Sequence, residues 1–142
     1  MINTTASREY RCRAALDLYS SPICAGLATQ AAMDRHLRIE SLTPTDRAMP
    51  VRLCEDDYPA WLKIEDVEQL ELTTDIYQAV KIDRATIADK IPEVIAFTQA
   101  AMKVPNHYLW GGTVAPNYDC SGLMQAAFHS QGIWLPRDSY QQ

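Results

Sequence analysis

The stretch that decides the fold of the second half of the chain runs from Asn117 to Pro136, NYDCSGLMQAAFHSQGIWLP. Turn-forming residues open it, and an apolar face at helical spacing follows, made of Leu123, Met124, Ala127 and Phe128. Gly132 is suited to cap the end of this helix because glycine adopts the left-handed backbone conformation without strain. The pattern therefore predicts a helix with Asp119 and Cys120 at its N-terminus.

Cys120 is the residue of this stretch with the clearest chemical potential. A helix N-terminus favours the thiolate form of a cysteine, because unpaired N–H groups and the helix dipole stabilise negative charge. The same N–H groups can hold the oxyanion that forms when a thiolate attacks a carbonyl. The position alone leaves two interpretations open, a nucleophile or a buried, incidental thiol. Asp119 is also a favoured helix N-cap.

The first half of the chain has the pattern of an all-β structure. Short apolar runs broken by Pro, Asp and Ser extend from Tyr10 to about Val80, as in a small barrel or sandwich of short strands. The predicted strands cover residues 10–19, 35–41, 50–55, 60–65 and 70–74. Proline falls between these stretches or at their edges, where it does not break a ladder, at Pro22, Pro44, Pro50 and Pro59.

The pattern changes after Lys81. Apolar residues then recur at three- and four-residue steps, which predicts an amphipathic helix with Ile87, Ile91, Ile95 and Met102 on one face. Pro92 is expected near the first helical position, and Pro105 ends the helix. The charged residues 81–90 before it are expected to form a linker.

Composition and charge exclude several classes of function. A net charge of -5 without a run of basic residues argues against nucleic-acid binding. No apolar run is long enough to span a bilayer, and the opening residues lack a secretory signal, so we expect no membrane partner and a cytoplasmic location. Cys12, Cys24 and Cys54 show no metal-ligand or disulfide pattern, and neither a metal nor a cofactor is expected.

The last quarter of the chain carries several motifs in a fixed order: YLWGG at 108–112, DCSG at 119–122, and LPR at 135–137 followed by Ser139 and Gln142. In order and spacing this segment resembles the opening of the catalytic domain of the NlpC-type cell-wall cysteine peptidases, a papain-like superfamily. One branch of that family carries a bacterial SH3-like barrel before the peptidase domain. The resemblance implies an α+β chain with a barrel over 1–80, a linker over 81–90 and the N-terminal part of the catalytic domain over 91–142.

That branch cleaves the bond between γ-D-glutamate and a diamino acid in murein peptides. The resemblance implies that Cys120 is the nucleophile and forms a thioester. It also implies that Ser121 and Ser139 bind the α-carboxylate of the substrate, and that Asp119 helps to hold the free amine of an N-terminal L-alanine. The barrel is expected to complete the amine pocket with an acidic residue and a tyrosine, from Glu55, Asp56, Asp57 and Tyr58. The expected partner is L-Ala-γ-D-Glu-diaminopimelate, encountered during cell-wall recycling.

Several of these residues also have an ordinary structural interpretation. Each acid in 55–57 could belong to a solvated turn. Trp110 could line the substrate cleft or pack in a core. Arg137 could face an anionic substrate or form a surface ion pair with Asp138.

A thiol peptidase needs a base, which in this family is a histidine from a strand well after the nucleophile helix. His129 lies nine residues along the same helix, about 13 Å of axial rise from Cys120, and cannot reach the thiol. Nothing in the spacing of His36 or His107 directs them to Cys120. We therefore expect the chain to be the N-terminal part of a longer enzyme and inactive alone. The alternative, if the chain ends at Gln142, is a non-catalytic module whose barrel binds a wall peptide or a protein.

Overall fold

A computed structural model describes residues 8–40 and 44–142 of the protein. Its first part contains the strands β1 (Glu9–Cys12), β2 (Leu16–Tyr19), β3 (Leu27–Ala31), β4 (His36–Ile39), β5 (Ala48–Leu53), β6 (Pro59–Lys63) and β7 (Leu70–Leu72), with a 3₁₀ helix at Ile64–Gln69. They form one antiparallel sheet in the order β3-β2-β6-β5-β4-β1-β7. The strands β3 and β7 are therefore its two edges.

The core of the sheet is built from apolar side chains that alternate along the strands. In β2, Leu16 and Leu18 are buried whereas Asp17 between them is exposed. Successive side chains of a strand point to opposite faces, so one face of the sheet closes on the core. The members of this core are Cys12, Leu16, Leu18, Ala31, Leu37, Val51, Leu53, Ala60 and Leu62. The all-β prediction for this half is confirmed.

The strand predictions are wrong in two places near the start of the sheet. Residues 10–19 form two strands, because the chain leaves the sheet after Cys12 and re-enters it at Leu16, which pairs with Ala31. The edge strand β3 was not among the predicted strands. Its sequence, LATQA, has little apolar alternation, yet Thr29 and Ala31 are buried in it.

Pro50 lies inside β5 and not at a strand edge as predicted. Its carbonyl accepts a hydrogen bond from the N–H of Glu40 at 2.9 Å, just beyond the end of β4. The N–H that proline lacks would face the same side, where β4 has already ended, so little of the ladder is lost.

The second part of the chain begins with α1 (Arg84–Lys103). The helix therefore includes residues 84–90 of the predicted linker over 81–90. The helix starts there because the Asp83 carboxylate caps it, accepting a hydrogen bond from the N–H of Thr86 at 2.7 Å. Pro92 lies inside α1, where it removes one backbone hydrogen bond without ending the helix.

The predicted apolar face of α1 is only partly covered. Val94 is buried, whereas Ile95 and Met102 are 50% and 78% exposed. Lys90 holds α1 to the end of the last helix by donating to the carbonyl of Gln131 at 2.8 Å. The domain boundaries at 80, 90 and 91 stay predictions.

After α1 come a short hairpin and the helix predicted from the opening stretch. The hairpin strands are β8 (Thr113–Val114) and β9 (Asn117–Tyr118), and α2 runs over Cys120–His129. Gly132 has a φ of +72°, the left-handed conformation expected at the end of a helix. The α2 prediction and the α+β class are confirmed. In the ranges that the structure describes, the helices lack the length and apolar character needed to cross a membrane.

Candidate active site

Cys120 is the first residue of α2, and its side chain lies at an exposed position. Asp119 is the N-cap: its Oδ1 accepts a hydrogen bond from the N–H of Gly122 at 2.7 Å. The helix starts directly against the loop before β8, since the Asp119 N–H donates to the carbonyl of Gly112 at 3.1 Å. A Cβ on Gly122 would overlap that same carbonyl, so the DCSG motif needs its glycine for close approach.

A buried network fixes this helix start, and we call its members Thr29, Asp119, Ser121 and Arg137 the Arg137 network. The Arg137 guanidinium donates from Nη2 to Asp119 Oδ2 at 2.7 Å and from Nη1 to Ser121 Oγ at 2.8 Å. Its Nε donates to the Thr29 hydroxyl in β3 at 3.0 Å. The residue is 2% exposed, so a buried cation is paired and hydrogen-bonded on all three nitrogens.

The network also sets the charge state of the N-cap. Burial alone would raise the pKa of Asp119, but the hydrogen bonds from Arg137 and from the N–H groups of Gly122 and Gly111 outweigh burial and lower it. Asp119 is therefore ionised at neutral pH. Its negative charge lies next to Cys120 and is neutralised by Arg137.

One interpretation of the sequence is a surface ion pair between Arg137 and Asp138. It is wrong, because the Arg137 side chain is buried against Asp119. The structure brings Asp119, Ser121 and Arg137 together, with their polar atoms bonded to one another. Their predicted contacts with a substrate stay predictions. Ser139 lies in an exposed turn, outside this network.

Two aromatic residues of the YLWGG motif lie close to the helix start. The N–H of Gly111 donates to Asp119 Oδ2 at 2.8 Å, which places Trp110 beside the N-cap. Trp110 is 74% exposed, so the alternative of core packing is wrong. Tyr108 is also exposed. Its pKa is raised by partial desolvation and by the nearby negative charge of Asp119, so its ring lies at the same corner.

The acidic turn at 55–58 divides between the solvent and the interior. Asp57 is on the surface and pairs with Arg38 and Arg52, and its predicted contact with the substrate amine stays a prediction. It also has a φ of +56°, in the left-handed region of backbone conformation. Tyr58 is half-buried, and its pKa is raised by burial and by the charge of Asp138.

Glu55 and Asp56 point inward, but toward the middle and the end of α2. Asp56 Oδ2 accepts a hydrogen bond from Gln125 at 3.2 Å, and burial raises the pKa of Asp56. Glu55 lies 3.4 Å from His129 Nδ1 and 3.5 Å from Arg35 Nε. Burial alone would raise the pKa of Glu55, but His129 and Arg35 outweigh burial and lower it.

The seven-stranded sheet, β1 to β7, is the barrel expected from the sequence. Sequence reasoning missed the contact between this barrel and the hairpin of β8 and β9. The Gln30 side chain accepts hydrogen bonds from the N–H groups of Thr113 at 3.0 Å and Val114 at 3.1 Å. The Gln30 carbonyl accepts a third bond from the Thr113 hydroxyl at 2.8 Å. No local sequence pattern predicts these bonds, because their partners lie more than eighty residues apart.

A cavity of about 240 Å³ lies between the barrel, the hairpin and α2. Glu55, Gln125 and His129 contribute to its wall together with apolar residues, and Cys120 does not. His36 lies 2.5 Å from Glu9 at the start of β4, and His107 is exposed in the loop after α1. Within residues 8–40 and 44–142, no group of His, Cys, Asp and Glu is arranged to hold a metal ion.

Comparison with known proteins matches two segments of the chain to families. Residues 18–67 match the family described as the bacterial dipeptidyl-peptidase SH3 domain. Residues 105–142 match the NlpC/P60 family. The chain therefore combines a bacterial SH3 domain with an NlpC/P60 segment that contains Cys120, as the resemblance implies. A search of curated proteins finds no match.

Solved structures similar to this chain include NlpC2 from Trichomonas vaginalis, at 18% identity and a TM-score of 0.38 over 95% of this chain and 45% of that one. NlpC1 from the same organism is 22% identical, with a TM-score of 0.37 over 92% and 42%. An NlpC/P60 family protein from Bacillus cereus is 21% identical, with a TM-score of 0.31 over 96% and 40%. The chain thus spans less than half the length of each.

Proposed function

We propose that the protein is a cell-wall cysteine peptidase with Cys120 as its nucleophile. The observation that carries the proposal is the exposed Cys120 at the first position of α2, inside the segment that matches the NlpC/P60 family. The proposed reaction is hydrolysis of the bond between γ-D-glutamate and diaminopimelate in murein peptides with a free N-terminal L-alanine. The proposed setting is cell-wall recycling in the cytoplasm.

The position of Cys120 at the start of α2 supports the proposed first chemical step. The Cys120 thiolate attacks the γ-carbonyl carbon, and the carbonyl π electrons move to oxygen to give a tetrahedral oxyanion. Asp119 satisfies the N–H of Gly122, and the N–H of Leu123 donates to the Asp119 carbonyl at 3.0 Å. The N–H groups of Cys120 and Ser121 come earlier in the first turn, where a helix has no carbonyl partner for them, and are suited to hold the oxyanion.

The rest of the cycle follows from thioester chemistry. The oxyanion collapses, the C–N bond breaks, and the amine of diaminopimelate leaves with a proton from the general acid. Water then attacks the thioester, giving up a proton to the same group acting as base, and the thiolate is released. His129 is held by Glu55 at the far end of α2 and His36 by Glu9. We expect the base of the full-length protein to be a different histidine.

Substrate recognition is proposed at the corner shared by the barrel and the last turn of the chain. The influence of Asp138 on the pKa of Tyr58 supports a position for Tyr58 beside this turn, which also carries Ser139. Tyr58 is thus our candidate for the barrel contact with the substrate amine. Ser139 is our candidate for the α-carboxylate. Glu55 and Asp56 are weaker candidates, because each already has partners along α2.

The test uses full-length protein and the peptide L-Ala-γ-D-Glu-diaminopimelate, with product amine measured by chromatography. We expect wild-type turnover, none with Cys120→Ala, and normal turnover with the control Cys54→Ala, since burial raises the pKa of the Cys54 thiol to about 11. Acetylating the L-alanine amine should abolish turnover. Turnover retained by Cys120→Ala would refute the nucleophile, and peptide binding by wild type without turnover would favour a binding module.

A further inference from the structure

We infer that Thr29, a residue of the barrel, positions the nucleophile helix through Arg137. The inference rests on the proposed function, since it gives the barrel a part in setting the reactivity of Cys120. Thr29 is fully buried in the edge strand β3, and its hydroxyl accepts the hydrogen bond from Arg137 Nε. It is the residue through which the described part of the barrel joins the Arg137 network.

The three nitrogens of one planar guanidinium contact three different parts of the fold. Nε contacts β3, Nη1 contacts the first turn of α2 at Ser121, and Nη2 contacts the N-cap Asp119. Because the guanidinium is rigid, moving one of these contacts displaces the other two. The position of β3 therefore determines where the Asp119 carboxylate lies.

The Asp119 carboxylate in turn determines the start of α2. Oδ1 accepts from the N–H of Gly122, while Oδ2 is shared between Arg137 and the N–H of Gly111. Displacing Arg137 would leave the negative charge of Asp119 less neutralised, directly beside Cys120. A neighbouring uncompensated carboxylate disfavours the thiolate, and so does a loosened first turn.

The hydroxyl of Thr29 is the part of this arrangement that can be removed with least change of shape. Valine has nearly the same volume but cannot accept a hydrogen bond, so Thr29→Val leaves Arg137 Nε without an acceptor in a buried place. Arg137 must then shift to find a partner. Serine at position 29 keeps the acceptor and should keep the geometry.

The experiment measures alkylation of Cys120 by iodoacetamide near neutral pH in full-length protein, read on the Cys120 peptide by mass spectrometry. Cys120 is already exposed, so the rate reports the state of the thiol more than its access. We expect Thr29→Val to slow alkylation about three- to tenfold, the loss typical of one charged cap interaction. Thr29→Ser should stay within about twofold of wild type.

The matched control is Thr73→Val, which removes a barrel hydroxyl bonded to Asp75, in the loop after the opposite edge strand β7. It should leave Cys120 alkylation unchanged even if it lowers stability. Should Thr29→Val not fold, Arg137→Lys gives the same test, because an ammonium keeps the charge but its single nitrogen cannot reach all three acceptors that the guanidinium fork spans.

Equal alkylation rates in folded Thr29→Val and wild type would overturn the inference, as would a slow Thr29→Ser. For Arg137→Lys, an unchanged rate would do so. Because the assay needs no peptide hydrolysis, it separates the two proposals. A wild type that hydrolyses nothing but shows the Thr29 effect would refute the peptidase and leave the positioning role intact.

Discussion

Replacing Arg137 by methionine tests the buried network most directly. Methionine fills much of the same space but leaves the Asp119 carboxylate buried without its cation, and Ser121 and Thr29 lose a donor. Removing one partner of a buried ion pair costs about 3–5 kcal/mol. Asp119 keeps its bonds from the N–H groups of Gly122 and Gly111, so we expect the lower end, about 3 kcal/mol.

The assay is urea unfolding followed by circular dichroism. With a slope of about 1–3 kcal/mol/M, a loss of 3 kcal/mol lowers the midpoint by about 1–3 M. Asp119→Asn and the double variant complete a mutant cycle, which isolates the coupling between the two side chains. A coupling energy under about 0.5 kcal/mol, or a single variant within about 1 kcal/mol of wild type, would refute the reasoning.

The same pair predicts a pH dependence. The pKa of Asp119 is lowered in the folded protein, so around that pKa the folded protein binds fewer protons than the unfolded chain does. The stabilisation is complete above the ordinary aspartate pKa, near 4, and is lost as the pH falls through the lowered native value. In Arg137→Met this acid-sensitive component should shrink or change sign.

Three further outcomes are expected. His129→Gln should destabilise the protein by less than about 1 kcal/mol, because the ring is half exposed. Glu55 raises the pKa of His129, so the difference in melting temperature between this variant and wild type should be largest below pH 6.5. The difference should fade as the pH rises through the raised pKa. Gly111→Ala should lower the melting temperature more than Gly132→Ala: both have positive φ, but only at 111 would a Cβ lie within 2.9 Å of the β3 backbone. Cys12, whose pKa burial raises to about 12, should resist alkylation in folded protein and react in urea.

The start and end of α2 could be predicted from sequence because helix caps are local. Asp119 bonds the N–H three residues ahead, and Gly132 supplies the left-handed turn. The same reasoning placed the start of α1 wrongly. Pro92 is typical of a first helical turn, but Asp83 offers a cap nine residues earlier, and the helix passes through the proline.

The direction of a side chain was harder to predict than its place in an element. In the acidic turn, three adjacent carboxylates have different surroundings: Asp57 meets surface arginines, Asp56 meets Gln125, and Glu55 meets His129. A run of acids in a sequence carries no sign of this division, because the partners come from other strands and from α2.

The contacts of Arg137 could not be predicted from the sequence, because one of its partners lies far away along the chain. Its partners Ser121 and Asp119 are 16 and 18 residues away, but Thr29 is 108 residues away, in the strand with the weakest sequence pattern. A short strand of small and polar residues suits this place, since β3 must bring a hydroxyl to a buried guanidinium while its backbone lies against Gly111. Substitutions in β3 and in the LPR motif should therefore be coupled, and a foreign barrel should support α2 only if it supplies a hydrogen-bond acceptor at position 29.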